Sequence, residues 1–279
     1  MYAPAAWTRK GPLEGVEVKG RQFGNSFRSQ NSAPDGPLQH EARHEYRNKI
    51  IDPHDPGGAI TSAQQMIRQY APKLASLDPA KILRIHGYRD IDVVRKDVLG
   101  AAERHAEEAL TLLELRFFYQ RLHVSGLSDD QLALDGGMTF NCDAFGKILR
   151  NSKEVVPFLL STGKPLDGRI QAYLADFNVL EALLLETAGW IAIEAATRMF
   201  ALHLRREIAP AGLDLSTRMG PGYAYSLGAR KVTWDLSDQR KLFNLFNGFP
   251  LPVTLLESCA MHPKLSRSGL YGLRPRSEA

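Results

Sequence analysis

The sequence predicts an α+β fold in which an antiparallel sheet of mixed-length strands packs against a long central helix and flanking helices. Short apolar runs suited to strands follow helical segments irregularly, without the regular alternation of a doubly wound parallel sheet. Residues 177–208 form the longest segment with apolar residues at helical spacing. Charges interrupt that segment, which is typical of a buried helix in a globular domain and not of a membrane span.

The beginning of the chain differs from the rest in composition. The first 60 residues are rich in Gly, Pro, Ser, Asn and Gln and keep no apolar period. We therefore interpret residues 1–78 as a partly irregular N-terminal extension and residues 79–279 as the folded module. Within the extension, residues 62–72 predict a short helix. The first 60 residues should be dispensable for folding.

The other elements follow from apolar spacing and from turn residues. Before the central helix we predict a strand at 82–85, a helix at 91–115, a strand at 116–124, a strand at 132–140 containing a glycine turn, a helix at 142–149, a strand at 155–161 and a helix at 166–174. After it we predict strands at 213–219, 253–257 and 269–273 and a helix at 237–246.

Composition and charge exclude several classes of protein. The 279 residues carry a net charge of +4, and the first 50 hold eight Lys and Arg against five Asp and Glu, which is +3. The remaining body is close to neutral and gives little support for a nucleic-acid partner. The chain shows neither a charge-free segment of membrane-spanning length nor a signal-peptide pattern, so we expect a soluble cytoplasmic protein without a membrane partner.

The two cysteines, Cys142 and Cys259, are too few and too isolated for a disulfide framework, an iron–sulfur cluster or a zinc site. We interpret them as buried apolar thiols, and we predict no metal site.

One candidate binding segment is a tight turn after a predicted strand, formed by Arg218, Met219, Gly220, Gly222 and Tyr223 with an intervening proline. The glycines let the backbone approach a ligand closely. The arginine offers a planar fork suited to a carboxylate, and the tyrosine supplies a flat face and a hydroxyl. A purely structural turn is the alternative.

A second candidate segment covers residues 253–271, where a strand ends at Glu257 and Ser258 and a turn leads to Ser266 and Ser268. Such a reversal can present amide N–H groups and hydroxyls to a polar or anionic ligand. A plain connection between two strands explains the segment equally well.

Together and in this order, the two segments resemble the activation domain of cobalamin-dependent methionine synthase and its free-standing bacterial relatives. The shared pattern consists of the Arg-x-x-x-Gly-Tyr turn, an Asp-Gln pair at Asp238 followed by an apolar pair at Leu242, a Glu-Ser-x-x-Met-x-Pro segment from Glu257, and a Ser-x-Ser-Gly strand from Ser266. The resemblance extends over residues 79–273 and implies the fold of that domain.

The resemblance also implies a binding site for S-adenosylmethionine. Arg218 would meet the ligand carboxylate, and the backbone of residues 219–222 would meet the adenosyl portion. Glu194, in the central helix, would lie near the ligand's ammonium group, where a carboxylate complements positive charge. Its alternative role is that of a solvated or salt-bridged helix residue. Tyr223 would face the corrinoid ring.

The function implied is reactivation. S-adenosylmethionine would supply a methyl group to an oxidised corrinoid carried by a separate cobalamin-dependent methyltransferase, either a methionine synthase core or a corrinoid demethylase. A flavodoxin or ferredoxin-like partner would supply the electron. Cobalt would be the nucleophile, so no catalytic side chain is predicted, and the protein's role would be to position the reactants. A non-catalytic docking or S-adenosylmethionine-sensing subunit is the alternative, and a purely structural subunit is a third possibility.

The chain departs from the resembled pattern between Tyr223 and Asp238, where its segment is longer and should reshape the mouth of the site. In addition, a ligand-side tyrosine that follows the Ser-Gly strand in the resembled domain has no counterpart here.

His54 lies in an Asp-x-His-x-x-Gly sequence like the one with which corrinoid-carrying domains ligate cobalt. Such a histidine works inside a doubly wound domain, and fewer than 60 residues precede this one. We therefore interpret it as part of a plain turn.

Overall fold

Strands and helices alternate irregularly along residues 66–276, the part of the chain that the computed structural model describes. These residues lie within one compact unit, Ala63–Ala279. The strands are β1 (Arg68–Tyr70), β2 (Arg116–Tyr119), β3 (Leu122–Leu127), β4 (Gln131–Leu134), β5 (Thr139–Asn141), β6 (Glu154–Ser161), β7 (Leu213–Leu215), β8 (Ala224–Leu227), β9 (Arg230–Thr233), β10 (Thr254–Leu255), β11 (Met261–His262) and β12 (Ser266–Pro275). The helices are α1 (Pro79–Ile85), α2 (Lys96–Leu112), α3 (Phe145–Ile148), α4 (Lys164–Ala175), α5 (Val179–Ile208) and α6 (Gln239–Asn244).

The main sheet is built around β6. One edge of β6 pairs with β12, and the other edge pairs with β2 and then β3. Beyond these neighbours, β1 extends β2, β4 and β5 extend β3, and β7 extends β12. All of these pairings are antiparallel, which confirms the predicted α+β class with an antiparallel sheet.

The sheet separates two apolar clusters, and successive residues of β2 show the division. Phe117 and Tyr119 face the cluster that contains α2, α4 and α5, whereas Phe118 faces the cluster that contains α6 and Trp234. The 30-residue α5 crosses the first face and is buried along most of one side, which confirms the predicted central helix.

The predicted strand at 82–85 is wrong, because these residues lie in helix α1. Asp78 caps this helix by accepting a hydrogen bond from the Ala80 amide at 3.0 Å, and Pro79 occupies the first turn. Ile82 and Leu83 are fully buried. The cap outweighs the β-branched residues that favoured a strand.

The predicted helix at 62–72 is also wrong over its described residues, which include strand β1. Residues 62–65 lie outside the described part of the chain. Tyr70 of β1 stacks on His203 of α5 with ring centroids 4.2 Å apart and lies 6.0 Å from Phe200. The sheet therefore includes residues that precede position 79.

The strand predicted at 116–124 is interrupted between β2 and β3, although its register against β6 continues. Tyr119 pairs with Phe158, and Leu122 pairs with Val155. The interruption faces Pro157, which has no N–H group to donate to the ladder.

The strand predicted at 132–140 is a hairpin, β4–β5, because Gly136 and Gly137 turn the chain with φ of 88° and 82°.

Both cysteines are buried free thiols, as predicted. Among residues 66–276, no helix has the length and apolarity needed to cross a bilayer. Over the same residues, no three side chains of His, Cys, Asp or Glu lie close enough together to bind a metal ion. His54 lies outside these residues.

Candidate functional site

Arg218 lies at the edge of β12, close after β7. The next residue, Met219, forms an antiparallel bridge with Leu270, in which the two amides donate to the opposite carbonyls at 2.9 and 2.7 Å. The Met219 side chain is buried in the cluster that contains α6. Because neighbouring side chains of extended backbone point to opposite faces, Arg218 points to the α5 side of the sheet.

Gly269 allows this close approach. A Cβ atom at position 269 would lie 2.4 Å from the Met219 carbonyl oxygen and 3.3 Å from Cε1 of Phe158. Any larger residue would push the Arg218 segment away from β12. The glycine of the Ser-x-Ser-Gly pattern is thus required by backbone packing.

The turn after Met219 is fixed by hydrogen bonds within the protein. The Gly220 amide donates to the Tyr225 hydroxyl at 2.7 Å, and the Gly222 amide donates to the Trp234 carbonyl at 2.7 Å. Gly222 has a φ of 82°, which favours glycine. The amides of Met219, Gly220 and Gly222 are all used, and proline lacks one. The carbonyl of Met219 accepts from the Leu270 amide, and that of Gly220 accepts from the Tyr223 amide and the Tyr225 hydroxyl. The turn therefore offers a ligand mainly the carbonyl oxygens of Pro221 and Gly222.

The segment that is longer than the resembled pattern forms the hairpin β8–β9 directly after Tyr223. Its base is closed by buried Trp234, whose amide donates to the Tyr223 carbonyl at 3.1 Å and whose Nε1–H donates to Asp238 Oδ2 at 2.8 Å. The neighbouring Gln239 accepts a hydrogen bond from Ser268 at 2.8 Å. The Asp-Gln pair therefore ties the hairpin and β12 to the same helix.

The guanidinium group of Arg218 packs over the ring of Tyr223. The guanidinium carbon of Arg218 lies 4.6 Å from the ring centroid, and Tyr223 is 37% exposed. Nη1 of Arg218 is buried and has no hydrogen-bond partner among residues 66–276. A buried donor of this kind is costly to leave unpaired, so Arg218 is suited to receive an acceptor from a ligand.

Arg267 is a site residue that the sequence prediction missed. It occupies the unspecified position of the Ser-x-Ser-Gly pattern and is only 4% exposed. Its Nη1–H donates to Thr197 Oγ1 at 3.0 Å, and its Nη2–H donates to Glu194. Its Nε is buried and unpaired among the described residues. The signal was strand alternation: Ser266 and Ser268 share one face, so Arg267 must occupy the face toward α5.

Glu194 lies on α5 with a side chain that is 56% exposed, and it forms an ion pair with Arg267. Burial raises the pKa of Glu194, but the Arg267 hydrogen bond and the charges of Arg267, Arg218 and Arg198 outweigh it, so this pKa is lowered overall. The predicted residues Arg218, Glu194 and Tyr223 thus meet in one cluster with Arg267, and the carboxylate of Glu194 is already paired.

The predicted hydroxyls of the second segment lie elsewhere. Ser266 donates to the Pro263 carbonyl at 2.8 Å, Ser268 donates to Gln239, and both side chains are buried on the face of β12 opposite α5. Glu257 and Ser258 are exposed in the turn between β10 and β11. This segment contributes Arg267 and the glycine approach to the cluster, while its serine hydroxyls serve internal hydrogen bonds.

Two surface clefts lie apart from this cluster. One, of about 460 Å³, lies beside the ion pair of Arg230 with Asp143, and the other, of about 530 Å³, lies beside Lys147 and Arg150. Neither is lined by Arg218, Glu194, Tyr223 or Arg267. Among the described residues, three buried side-chain polar groups lack a partner: two of them, on Arg218 and Arg267, lie in the cluster, and the third, Ser152 Oγ, lines neither cleft. The cluster is therefore the better candidate for ligand binding.

The sequence matches no protein-family profile and none of the curated proteins compared with it. The structure is similar to the crystal structure of the MetH reactivation domain bound to AdoHcy (S-adenosylhomocysteine), with a TM-score of 0.53 and 13% sequence identity. The similarity covers 78% of this chain and 81% of that chain. At this identity the likeness establishes a shared fold. It supports the α+β architecture that the two sequence segments implied.

Proposed function

We propose that this chain binds S-adenosylmethionine at the cluster of Arg218, Tyr223, Glu194 and Arg267. The observation that carries the proposal is the buried, unpaired Nη1 of Arg218, in a fold similar to that of a domain crystallised with AdoHcy. A ligand carboxylate supplies the missing acceptor, and a planar guanidinium fork suits it. The carbonyl oxygens of Pro221 and Gly222 can accept hydrogen bonds from an adenine amino group.

We further propose that the bound S-adenosylmethionine re-methylates an oxidised corrinoid on a separate cobalamin-dependent methyltransferase, with an electron from a flavodoxin or ferredoxin-like donor. The ligand supplies an electrophilic methyl group. The chain's own residues bind and orient it: Arg218 holds the carboxylate, and the exposed Tyr223 presents a flat surface beside it. No side chain of the cluster is required to move a proton.

Calorimetric titration with S-adenosylmethionine tests the binding step, and we expect micromolar affinity. A second assay mixes the chain with a corrinoid methyltransferase and a reductant and follows the absorbance of methylcobalamin. Ligand binding together with methylcobalamin formation supports a reactivation module. Binding without methylation in the presence of an active partner identifies a docking or sensing subunit. The absence of both heat and thermal shift at millimolar ligand overturns the proposal.

A further inference from the structure

The cluster has an excess of positive charge, which disfavours a cationic ligand. The cluster contains two guanidinium groups, those of Arg267 and Arg218, and the single carboxylate of Glu194, so its net charge is +1 (two minus one). The exposed Arg198, four residues after Glu194 on α5, places a further positive charge beside it. The carboxylate that would attract a cation is already held by Arg267. An incoming positive group therefore meets an excess of positive charge.

The two best-placed arginines also retain unused donors. Nη1 of Arg218 and Nε of Arg267 are both buried without partners among residues 66–276, although Arg267 already donates to Thr197 and Glu194. Arg267 is only 4% exposed, and the guanidinium group of Arg218 packs over the ring of the neighbouring Tyr223. Such donors are satisfied by oxygen acceptors, and an anion satisfies both the hydrogen bonds and the charge.

We infer that Arg267 is a specificity-determining residue that makes this site prefer the thioether S-adenosylhomocysteine over the sulfonium S-adenosylmethionine. This inference rests on the proposed function, because it assumes that adenosyl amino acids bind at the cluster. The two ligands share the adenosine, the carboxylate and the ammonium group. They differ by one methyl group and by the positive charge on sulfur, which the excess charge of the cluster disfavours.

A site with this preference responds to the ratio of the two ligands. When the thioether accumulates it occupies the cluster, and when it is removed the sulfonium compound enters. The chain would then bind productively only where S-adenosylhomocysteine is kept low by a reaction that consumes it.

The test is a pair of calorimetric titrations, one with each ligand, at low and at high salt. We expect the wild-type chain to bind the thioether about tenfold more tightly at low salt, with a smaller ratio at high salt because exposed charges are screened. Arg267→Met should bring the ratio close to one. Glu194→Gln, which removes the only negative charge of the cluster, should increase the ratio. Arg95→Met, at a side chain that is 77% exposed at the start of α2, should leave the ratio unchanged.

The outcomes separate the two proposals. If neither ligand binds the wild-type chain, the proposed function fails and the inference fails with it. If both bind and the sulfonium compound binds equally well or better, only the inference fails. If the thioether preference remains the same in Arg267→Met and in Glu194→Gln, charge does not set it and the role of Arg267 is overturned. Should Arg267→Met not fold, Glu194→Gln and the salt dependence decide.

Discussion

The guanidinium carbon of Arg218 lies 4.6 Å from the centre of the Tyr223 ring. The two residues flank the tight turn that Gly222 closes, and Trp234 holds that turn through two backbone hydrogen bonds. The aromatic face restricts the arginine, so less rotamer entropy is lost when a ligand binds. The turn and the ring thus hold the Arg218 side chain in a restricted position before a ligand binds.

The approach of the Arg218 segment to β12 depends on Gly269, and we predict that Gly269→Ala destabilises the protein by roughly 2–3 kcal/mol. The added Cβ would lie 2.4 Å from the Met219 carbonyl oxygen, which belongs to backbone and cannot rotate away. Urea unfolding followed by circular dichroism measures the change.

Gly168→Ala is the matched control, because a Cβ at that position of α4 meets nothing within 4 Å. This variant should be neutral or more stable by roughly 0.5–1 kcal/mol, since alanine favours a helix. Equal stability of Gly269→Ala and the wild-type chain would contradict the close-packed bridge.

The boundary of the module can be tested by two truncations. We predict that a chain of residues 63–279 melts within a few degrees of the full chain. A chain of residues 79–279 should lose roughly 2–4 kcal/mol, because it lacks β1 and the Tyr70 ring that packs on His203 and Phe200. Thermal melting of both chains makes the comparison. An insoluble 63–279 chain, or a 79–279 chain as stable as the longer one, would show that the boundary lies elsewhere.

The long helix and the central strand could be predicted from sequence because their signals are local. Apolar residues recur at helical spacing across α5, and β6 is a short, almost wholly apolar run bounded by polar residues. The strand predicted in place of helix α1 is wrong even though the capping signal of this helix is also local. The Asp78-Pro79 pair indicates a helix start, but the apolar residues at 82, 83 and 85 also fit a short strand.

Only some residues of the cluster could be predicted from the sequence. Arg218 and Tyr223 belong to a recognisable turn, whereas Arg267 occupies a position that the pattern leaves open. Its importance depends on the distance between α5 and β12, a tertiary relationship that no spacing within one segment reveals. Conversely, Ser266 and Ser268 look like ligand groups in the sequence, but strand alternation turns them toward Pro263 and Gln239.

The ion pair of Glu194 with Arg267 should make stability depend on pH. The pKa of Glu194 is lowered in the folded protein from its ordinary value near 4.5, so its contribution is complete above about pH 4.5 and is lost as the pH falls through the lower folded value. Glu194→Gln should therefore cost about 1 kcal/mol at pH 7, a figure reduced because the glutamate is half exposed, and less at pH 3.

Urea unfolding at both pH values measures this difference, with Glu103→Gln, at an exposed glutamate of α2, as the control. The control should change stability little at either pH. A cost of Glu194→Gln that is the same at pH 3 and pH 7 would show that the pair does not contribute through its charge.

Arg218 distinguishes a binding site from a structural turn most directly. A bidentate contact between arginine and carboxylate in a partly desolvated pocket is worth roughly 2–4 kcal/mol, or about 30- to 1000-fold in affinity. We predict that Arg218→Ala loses measurable S-adenosylmethionine binding. Its melting temperature should stay within a few degrees of wild type, because within residues 66–276 the arginine makes no side-chain hydrogen bond or ion pair, packs over the Tyr223 ring and leaves a buried donor unpaired. Arg218→Lys should not restore binding, since an ammonium group cannot reproduce the planar fork.

A purely structural arginine predicts the reverse pattern. If Arg218 served only to stabilise its turn, Arg218→Ala would lower the melting temperature substantially and would retain whatever binding the wild-type chain shows. The unpaired Nη1 argues against this, because an arginine kept for the fold is expected to satisfy its buried donors within the fold. Melting curves and ligand titrations on the same preparations of Arg218→Ala and Arg218→Lys separate the two roles. A destabilised variant that still binds ligand would remove Arg218 from the site, and with it the main support for binding at this cluster.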